Sequence, residues 1–195
     1  AKNMGDNSLS GCGDQLSVAI NKGRYSASIV TSLCSKAESS GCNSSSVATG
    51  LGSLAINSGI RSIAATTSEM SEAINVAKES IAASTERNSA AKNSGIQSAA
   101  VSTGSRSIAK NTGTHSIAVS TGDESEAIVS GDQSVAISIG CRSKAKGALG
   151  CWLVLAECRS KKVIDVKSVQ VDGDRIKANT FYRLKNGEFV ECKGM

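Results

Sequence analysis

The feature that most constrains this chain is a nine-residue repeat. It is clearest from Gly95 to Gly140, where each unit reads Gly-x-x-Ser-x-Ala followed by three variable residues. A serine recurs at every ninth position from Ser8 to Ser143 without a gap. A short fixed period indicates a solenoid, in which each unit buries its inner face only by stacking on its neighbours. Ser-x-Ala-x-x has the two-residue alternation of a strand, and we expect the following glycine to supply a turn with positive φ.

Alternate units differ systematically, so the true repeat is eighteen residues, or two strands in each coil. We call the unit beginning at Ser17 face A and the unit beginning at Ser26 face B, and we number positions from each repeat serine as zero. On face A, positions 1 and 3 include charged residues, such as Lys36, Glu38 and Lys92. On face B they carry no charge, and position 5 carries threonine in six successive coils.

The sequence therefore predicts an all-β fold, a parallel β-solenoid with two nine-residue units per coil. Small residues occupy positions 2 and 4, which we expect to point inward, and positions 1 and 3 to point outward. The solenoid spans residues 1–147, begins part-way through a coil, and contains about eight coils. At about 4.8 Å per coil, its length is roughly 38 Å. Only 3% of the residues are aromatic and proline is absent, which argues against an ordinary globular core.

Several other classes of function are disfavoured by the sequence. The net charge of +5 is modest and is spread over both signs, whereas nucleic-acid binding needs a clustered basic surface. Of the corner residues, Asp123 and Asp132 alone resemble the ligands of calcium-binding nonapeptide rolls. His115 is the sole histidine and lies at a variable corner, so we predict no catalytic site, metal or cofactor. No apolar run is long enough for a membrane span. Seven scattered cysteines favour free thiols in a reducing compartment.

From Ala148 the repeat stops, and residues 148–195 form a second region. We predict strands over 151–158 and 162–171 and a hairpin over 180–192 that turns at Lys185-Asn186-Gly187. Solenoids need a terminal unit to cover the last coil. The bulky residues of this region are therefore predicted to form a cap: Trp152, Phe181, Tyr182 and Phe189.

The run Gly147-Ala148-Leu149-Gly150-Cys151-Trp152-Leu153-Val154-Leu155-Ala156-Glu157, followed by Val171-Asp172-Gly173 and Thr180-Phe181-Tyr182, resembles the closing segment of a known family. That family comprises nonapeptide-repeat proteins of bacteriophage and gut-bacterial genomes, whose members vary in repeat number. The resemblance covers nearly the whole chain and implies a phage or mobile-element origin. It implies no activity, ligand or site residue. The sequence Ser-Val-Ala-Ile from Ser134 to Ile137 also resembles the head repeats of trimeric adhesins, although those repeats are longer.

An uncharged strip the length of a rod is typical of an interface. We therefore predict a non-enzymatic structural protein, in the cytoplasm of a bacterial host or in a virion, that forms a homodimer or homotrimer through face B. Two alternatives stay open: recognition of a lattice or surface, such as ice or a host surface, and capture of a protein or small-molecule ligand by a phage protein. The residues predicted to carry self-association or recognition are Ile63, Ala65, Thr67, Ile81, Ala83, Thr85, Ala99, Val101, Thr103, Ile117, Val119, Thr121, Val135 and Ile137.

Overall fold

The computed structural model describes residues 1–193, in which the regular elements are twenty-one β-strands. In chain order they are β1 Lys2–Asn3, β2 Leu9–Cys12, β3 Val18–Asn21, β4 Ala27–Val30, β5 Lys36–Ser39, β6 Ser45–Ala48, β7 Leu54–Asn57, β8 Ile63–Thr66, β9 Glu72–Asn75, β10 Ile81–Ser84, β11 Ala90–Asn93, β12 Ala99–Ser102, β13 Ile108–Asn111, β14 Ile117–Ser120, β15 Glu126–Val129, β16 Val135–Ser138, β17 Lys144–Lys146, β18 Trp152–Arg159, β19 Lys162–Gln170, β20 Phe181–Lys185 and β21 Glu188–Cys192.

The strands form two sheets, and the division between them follows the parity of the repeat. One sheet contains the odd-numbered strands from β1 to β17 in order, followed by β20 and β21. The other contains the even-numbered strands from β2 to β18, followed by β19. Within the solenoid, each strand pairs in parallel with the strand eighteen residues away, as Ala82 does with Ala100. The eighteen-residue coil and the assignment of alternate units to opposite faces are therefore confirmed.

The core is a thin layer of small side chains. Burial alternates along the strands of the solenoid, and the alanines at position 2 are fully buried, among them Ala82 and Ala118. Alanine and serine suit this layer because the two sheets of one coil are joined by short corners, which leave little space between them. The odd positions are left on the outer surfaces, as the sequence predicts.

The corners correct our interpretation of the repeat glycine. Positive φ occurs at the residue just before the repeat serine, for example His115 at 52°, and not at Gly113. Glycine is needed at Gly113 because an added Cβ would lie 1.8 Å from the carbonyl oxygen of Gly95 in the previous coil. The close approach of stacked corners, rather than their backbone conformation, therefore selects glycine.

Repeat serines hold the corners together. The hydroxyl of Ser116 donates to the carbonyl oxygens of Gly95 and Thr114, at 3.1 and 2.9 Å. It also accepts a bond from the backbone N–H of Ser98 in the previous coil. Since neighbouring coils repeat this pattern, the serines form a continuous ladder that satisfies buried backbone groups.

Asparagines at position 4 of face A form a second ladder. The side-chain amide of Asn111 donates to the carbonyl oxygens of Ser98 and Ile117, at 2.9 and 3.2 Å, and its oxygen accepts the N–H of Gly113. Position 4 of face B is different, because its hydroxyls are buried and have no hydrogen-bond partner among the described residues. These hydroxyls belong to Thr66, Ser84, Ser102, Ser120 and Ser138, and Val30 and Ala48 occupy the same position in earlier coils.

The C-terminal strands close the rod. Strand β18 stacks in parallel on β16, which completes a ninth coil beyond the eight that we expected, and β19 returns antiparallel to β18. The hairpin of β20 and β21 joins the other sheet through Tyr182, opposite Ala145. Cys151, Leu153, Leu155, Val171, Ile176, Tyr182 and Leu184 extend the solenoid core with larger side chains.

Candidate self-association face

Face B presents two straight columns of side chains along the rod, at positions 1 and 3. The position 1 column is Leu9, Ala27, Ser45, Ile63, Ile81, Ala99, Ile117, Val135 and Trp152. The position 3 column is Gly11, Ile29, Val47, Ala65, Ala83, Val101, Val119, Ile137 and Val154. Each residue stacks on its equivalent in the next coil, so the columns keep one register over nine strands. All fourteen residues that we predicted for this surface belong to these columns or to the threonine column beside them.

These columns are uncharged and accessible. Ile63 is 45% exposed and Ile81 is 42% exposed, although both lie in the middle of the sheet. Leu9 and Trp152 at the two ends are also exposed, and the other aliphatic side chains of the columns are partly buried. Aligned along the rod, these side chains form an uncharged, largely apolar surface of a kind that is typical of an interface.

Face A carries ion pairs at the equivalent positions. Lys92 reaches Glu72 across neighbouring coils at 2.5 Å, and Lys36 reaches Glu38 at 2.8 Å. These pairs are partly exposed and contribute little to stability, about 0–1 kcal/mol each. The two faces therefore differ in chemistry, because the outward positions carry ion pairs on face A and uncharged side chains on face B.

A polar rim borders each side of face B. On one side lies the exposed position 5 column of Thr31, Thr49, Thr67, Thr85, Thr103 and Thr121. On the other side lies the column that precedes the repeat serines: Tyr25, Asn43, Arg61, Glu79, Gln97, His115 and Gln133. Between the second rim and the position 1 column runs an open groove of about 690 Å³, with His115 and Gln97 in its wall and Ile117 and Ala99 beside them.

Trp152 is placed differently from our prediction. Counting nine residues from Ser143 puts Trp152 at an inward position, but it pairs with Val135, seventeen residues earlier, and so occupies position 1. Cys151 takes the place of the repeat serine, and its thiol contacts the carbonyl oxygen of Gly131 at 3.2 Å. Trp152 is therefore 44% exposed at the end of face B and does not cover the last coil.

The other three predicted cap residues have distinct positions. Tyr182 is buried beneath the cap, and its hydroxyl accepts the N–H of Lys177 at 2.9 Å. Phe189 is partly buried and packs against this cluster. Phe181 lies outside it, on face A, where the ammonium groups of Lys144 and Lys146 lie 5.6 and 4.6 Å from its ring centre. Leu153 and Leu155, which sequence reasoning missed, provide much of the covering bulk instead.

Face B ends where β19 begins. Gln170 and Ser168 lie opposite Trp152 and Val154, so polar side chains follow the last apolar pair. The signal for extending the strip to Val154 was present in the sequence, because Trp152-x-Val154 alternates like Val135-x-Ile137. This alternation matches the columns only if the coil between Val135 and Trp152 is taken to have seventeen residues instead of eighteen.

All seven cysteines are free thiols, and two of them lie together. Because β18 continues over the corner that follows β16, Cys158 comes to lie beside Cys141. Burial and the neighbouring thiol of Cys141, with a further contribution from Asp123, raise the pKa of Cys158 to about 12. Our expectation that the cysteines are scattered is therefore wrong for this pair.

The remaining polar groups of residues 1–193 include no group of three or more His, Cys, Asp and Glu side chains that could hold a metal ion. Within this part of the chain there is also no helix that could cross a membrane. His115 is exposed at its corner, and the repeat serines use their hydroxyls within the ladder.

Comparison of the chain with protein-family models, with curated proteins and with solved structures finds no match.

Proposed function

We propose that this protein is a structural rod, of phage or mobile-element origin, that associates with a second copy of itself through face B and displays face A outward. The observation that carries this proposal is the contrast between the two faces. Both are built from the same repeat on the same backbone, yet charge is confined to one of them. Intrinsic strand preference cannot explain this difference, because the two sheets have the same geometry.

The size of the surface supports a stable association. Face B with its two rims measures about 38 Å by about 20 Å, or about 750 Å² per copy. Two copies would bury about 1,500 Å², which is close to the standard size of specific protein interfaces, about 1,600 Å². The apolar columns would form the interface core, and the threonine and corner columns would form its polar rim.

The experiment is the oligomeric mass of the protein at micromolar concentration, measured by light scattering for the wild type and two variants. Ile81→Lys places a charge at the centre of face B, and we expect it to release monomers. Ile74→Lys places the same charge on face A in the same coil, where Lys92 is its neighbour, and we expect it to keep the wild-type mass. Circular dichroism should show a folded solenoid for both, since both residues point outward. A monomeric wild type would contradict the proposal.

A second candidate function is recognition of a regular surface, and the exposed threonine column favours it. Threonine recurs once per coil, at about 4.8 Å, which is a spacing suited to matching a lattice. The column lies at the edge of face B and is single. Ice growth in the presence of the wild type tests this candidate, because a lattice binder would produce thermal hysteresis and Thr85→Lys would reduce it.

A further inference from the structure

The two outward columns of face B are complementary to each other in size. In each of the six even-numbered strands from β2 to β12, which belong to face B, one outward residue is large and the other is small, as in Leu9 with Gly11 and Ile81 with Ala83. The large residue lies in position 1 for β2, β8 and β10 and in position 3 for β4, β6 and β12. Since it changes column, its place is not set by a preference of one position. In β14, β16 and β18 both outward residues are large, namely Ile117 with Val119, Val135 with Ile137 and Trp152 with Val154.

This pattern distinguishes the two ways in which identical faces can pair about a twofold axis. An axis along the rod places two parallel copies in register, so that position 1 of each coil faces position 3 of the same coil in the second copy. Large residues then meet small ones in these six strands, as a close-packed interface requires, and large residues meet each other only in the last three coils. An axis across the rod places the copies antiparallel, so that the first coil faces the ninth. This arrangement also matches some large residues with small ones, such as Ile63 with Ala99. At the central coil, however, Ile81 would meet its own equivalent and Ala83 would leave a gap against its own equivalent, and Ile29 would face Ile137.

The polar rims of face B also favour the parallel arrangement. In the antiparallel arrangement Glu79, which precedes the central strand β10 and pairs with Arg61 at 2.8 Å, would face Glu79 of the second copy, so the two carboxylates would meet on the axis. In the parallel arrangement the corner residues from Tyr25 to His115 face the threonine column instead, and Gln133 faces Ile139. Glu79 then faces Thr85, Gln97 faces Thr103, and His115 faces Thr121. A threonine hydroxyl both donates and accepts hydrogen bonds, so it suits each of these partners.

We propose that the protein forms a parallel, in-register dimer whose twofold axis runs along the rod. This inference rests on the proposed function, because it concerns the same face. It adds the orientation: both copies point the same way, and equivalent ends lie side by side. The groove beside His115 is then filled by the threonine rim of the second copy.

Pairs of charge variants on face B can distinguish the parallel from the antiparallel dimer without any change to the cysteines. Ala27 in β4 faces Ile29 of the second copy if the rods are parallel, and Val135 if they are antiparallel. Ala27→Lys alone should raise the dissociation constant of the homodimer about 100-fold or more, because a buried unpaired charge is strongly unfavourable. Mixing differently tagged chains of Ala27→Lys and Ile29→Glu should restore a heterodimer with an affinity within about tenfold of the wild type. Mixing Ala27→Lys with Val135→Glu should not restore it.

The outcomes separate the two proposals when heterodimers are counted by native mass spectrometry. Rescue by Ile29→Glu alone supports the parallel dimer. Rescue by Val135→Glu alone, or by neither variant, overturns the parallel dimer but leaves self-association standing. An Ala27→Lys homodimer as tight as the wild type also overturns the in-register pairing, because the second coil would then lie outside the interface. A monomeric wild type overturns both proposals. Circular dichroism of each isolated chain confirms that these outward substitutions leave the coil folded.

Discussion

The asparagine ladder allows a quantitative test of what holds the two sheets together. In Asn111→Ala, the buried N–H of Gly113 loses its acceptor, which costs about 1–3 kcal/mol. The carbonyl oxygens of Ser98 and Ile117 lose the side-chain amide as a donor, and each loss costs about 0.5–1 kcal/mol, since backbone bonds remain to share the load. Removal of the side chain also leaves unfilled space in a tightly stacked layer. We therefore expect a loss of about 3–5 kcal/mol in the free energy of unfolding.

Ser102→Ala is the matched control, since Ser102 occupies the same position on the opposite sheet and is equally buried. Its hydroxyl has no partner among the described residues, so its removal leaves no group unsatisfied. Val30 already fills this position in an earlier coil. We expect a change within about 0.5 kcal/mol of zero, or a small gain.

The assay is urea unfolding followed by circular dichroism, with the slope of the transition compared between variants. Unequal slopes would show that part of the rod unfolds separately, as solenoids can. If the transition midpoints of Asn111→Ala and Ser102→Ala fell by the same amount, hydrogen bonding by the asparagine would contribute nothing specific. The reasoning about the ladder would then be refuted.

Three further predictions concern the corners and the cap. Gly113→Ala should lower the free energy of unfolding by about 3 kcal/mol, because its Cβ would overlap the previous corner. Gly5→Ala should be tolerated, because the nearest atom would lie 3.6 Å from its Cβ. Equal urea midpoints for the two variants would contradict the stacking argument. Two backbone N–H groups hold the pKa of Asp172 below its usual value. The contribution of this carboxylate to stability is therefore present above pH 3.8 and is lost as the pH falls through its lower pKa in the folded protein. The melting temperature of the wild type should fall more between pH 5 and pH 2 than that of Asp172→Asn. The raised pKa of Cys158 keeps its thiol protonated at pH 8. Iodoacetamide should therefore modify the exposed Cys34 before Cys158, as peptide mass spectrometry can show. Equal rates of modification of the two thiols in the folded protein would count against the burial of Cys158.

Much of the fold was predictable because the repeat reports chemistry position by position. Charge at Lys36 and Lys92, with none at Ile81 or Ile117, separates the two outer faces without any coordinates. The columns of face B follow directly, and the structure places every predicted residue of that surface where the repeat indicates. The C-terminal hairpin was predictable for a similar reason, since Asn186-Gly187 is a typical two-residue turn, and both residues have positive φ.

The errors arose where one coil meets another. The role of Gly113 depends on a carbonyl oxygen eighteen residues away, so local turn chemistry alone suggests the wrong reason. The orientation of Trp152 depends on a coil that is one residue shorter than the others. The contact of Cys158 with Cys141 depends on a strand that continues past the corner. A sequence pattern does not record these stacking relations, because it orders residues along the chain and not along the rod.

The sequence alone determined the period, the two faces and the inward or outward direction of the repeat side chains, since these depend on residue size and charge at fixed spacing. The tertiary structure decided how the rod is closed, which residues lie at its end, and which thiols and carbonyl oxygens meet. Stacking decides them because a shift of one residue in a strand turns every side chain to the opposite side of its sheet.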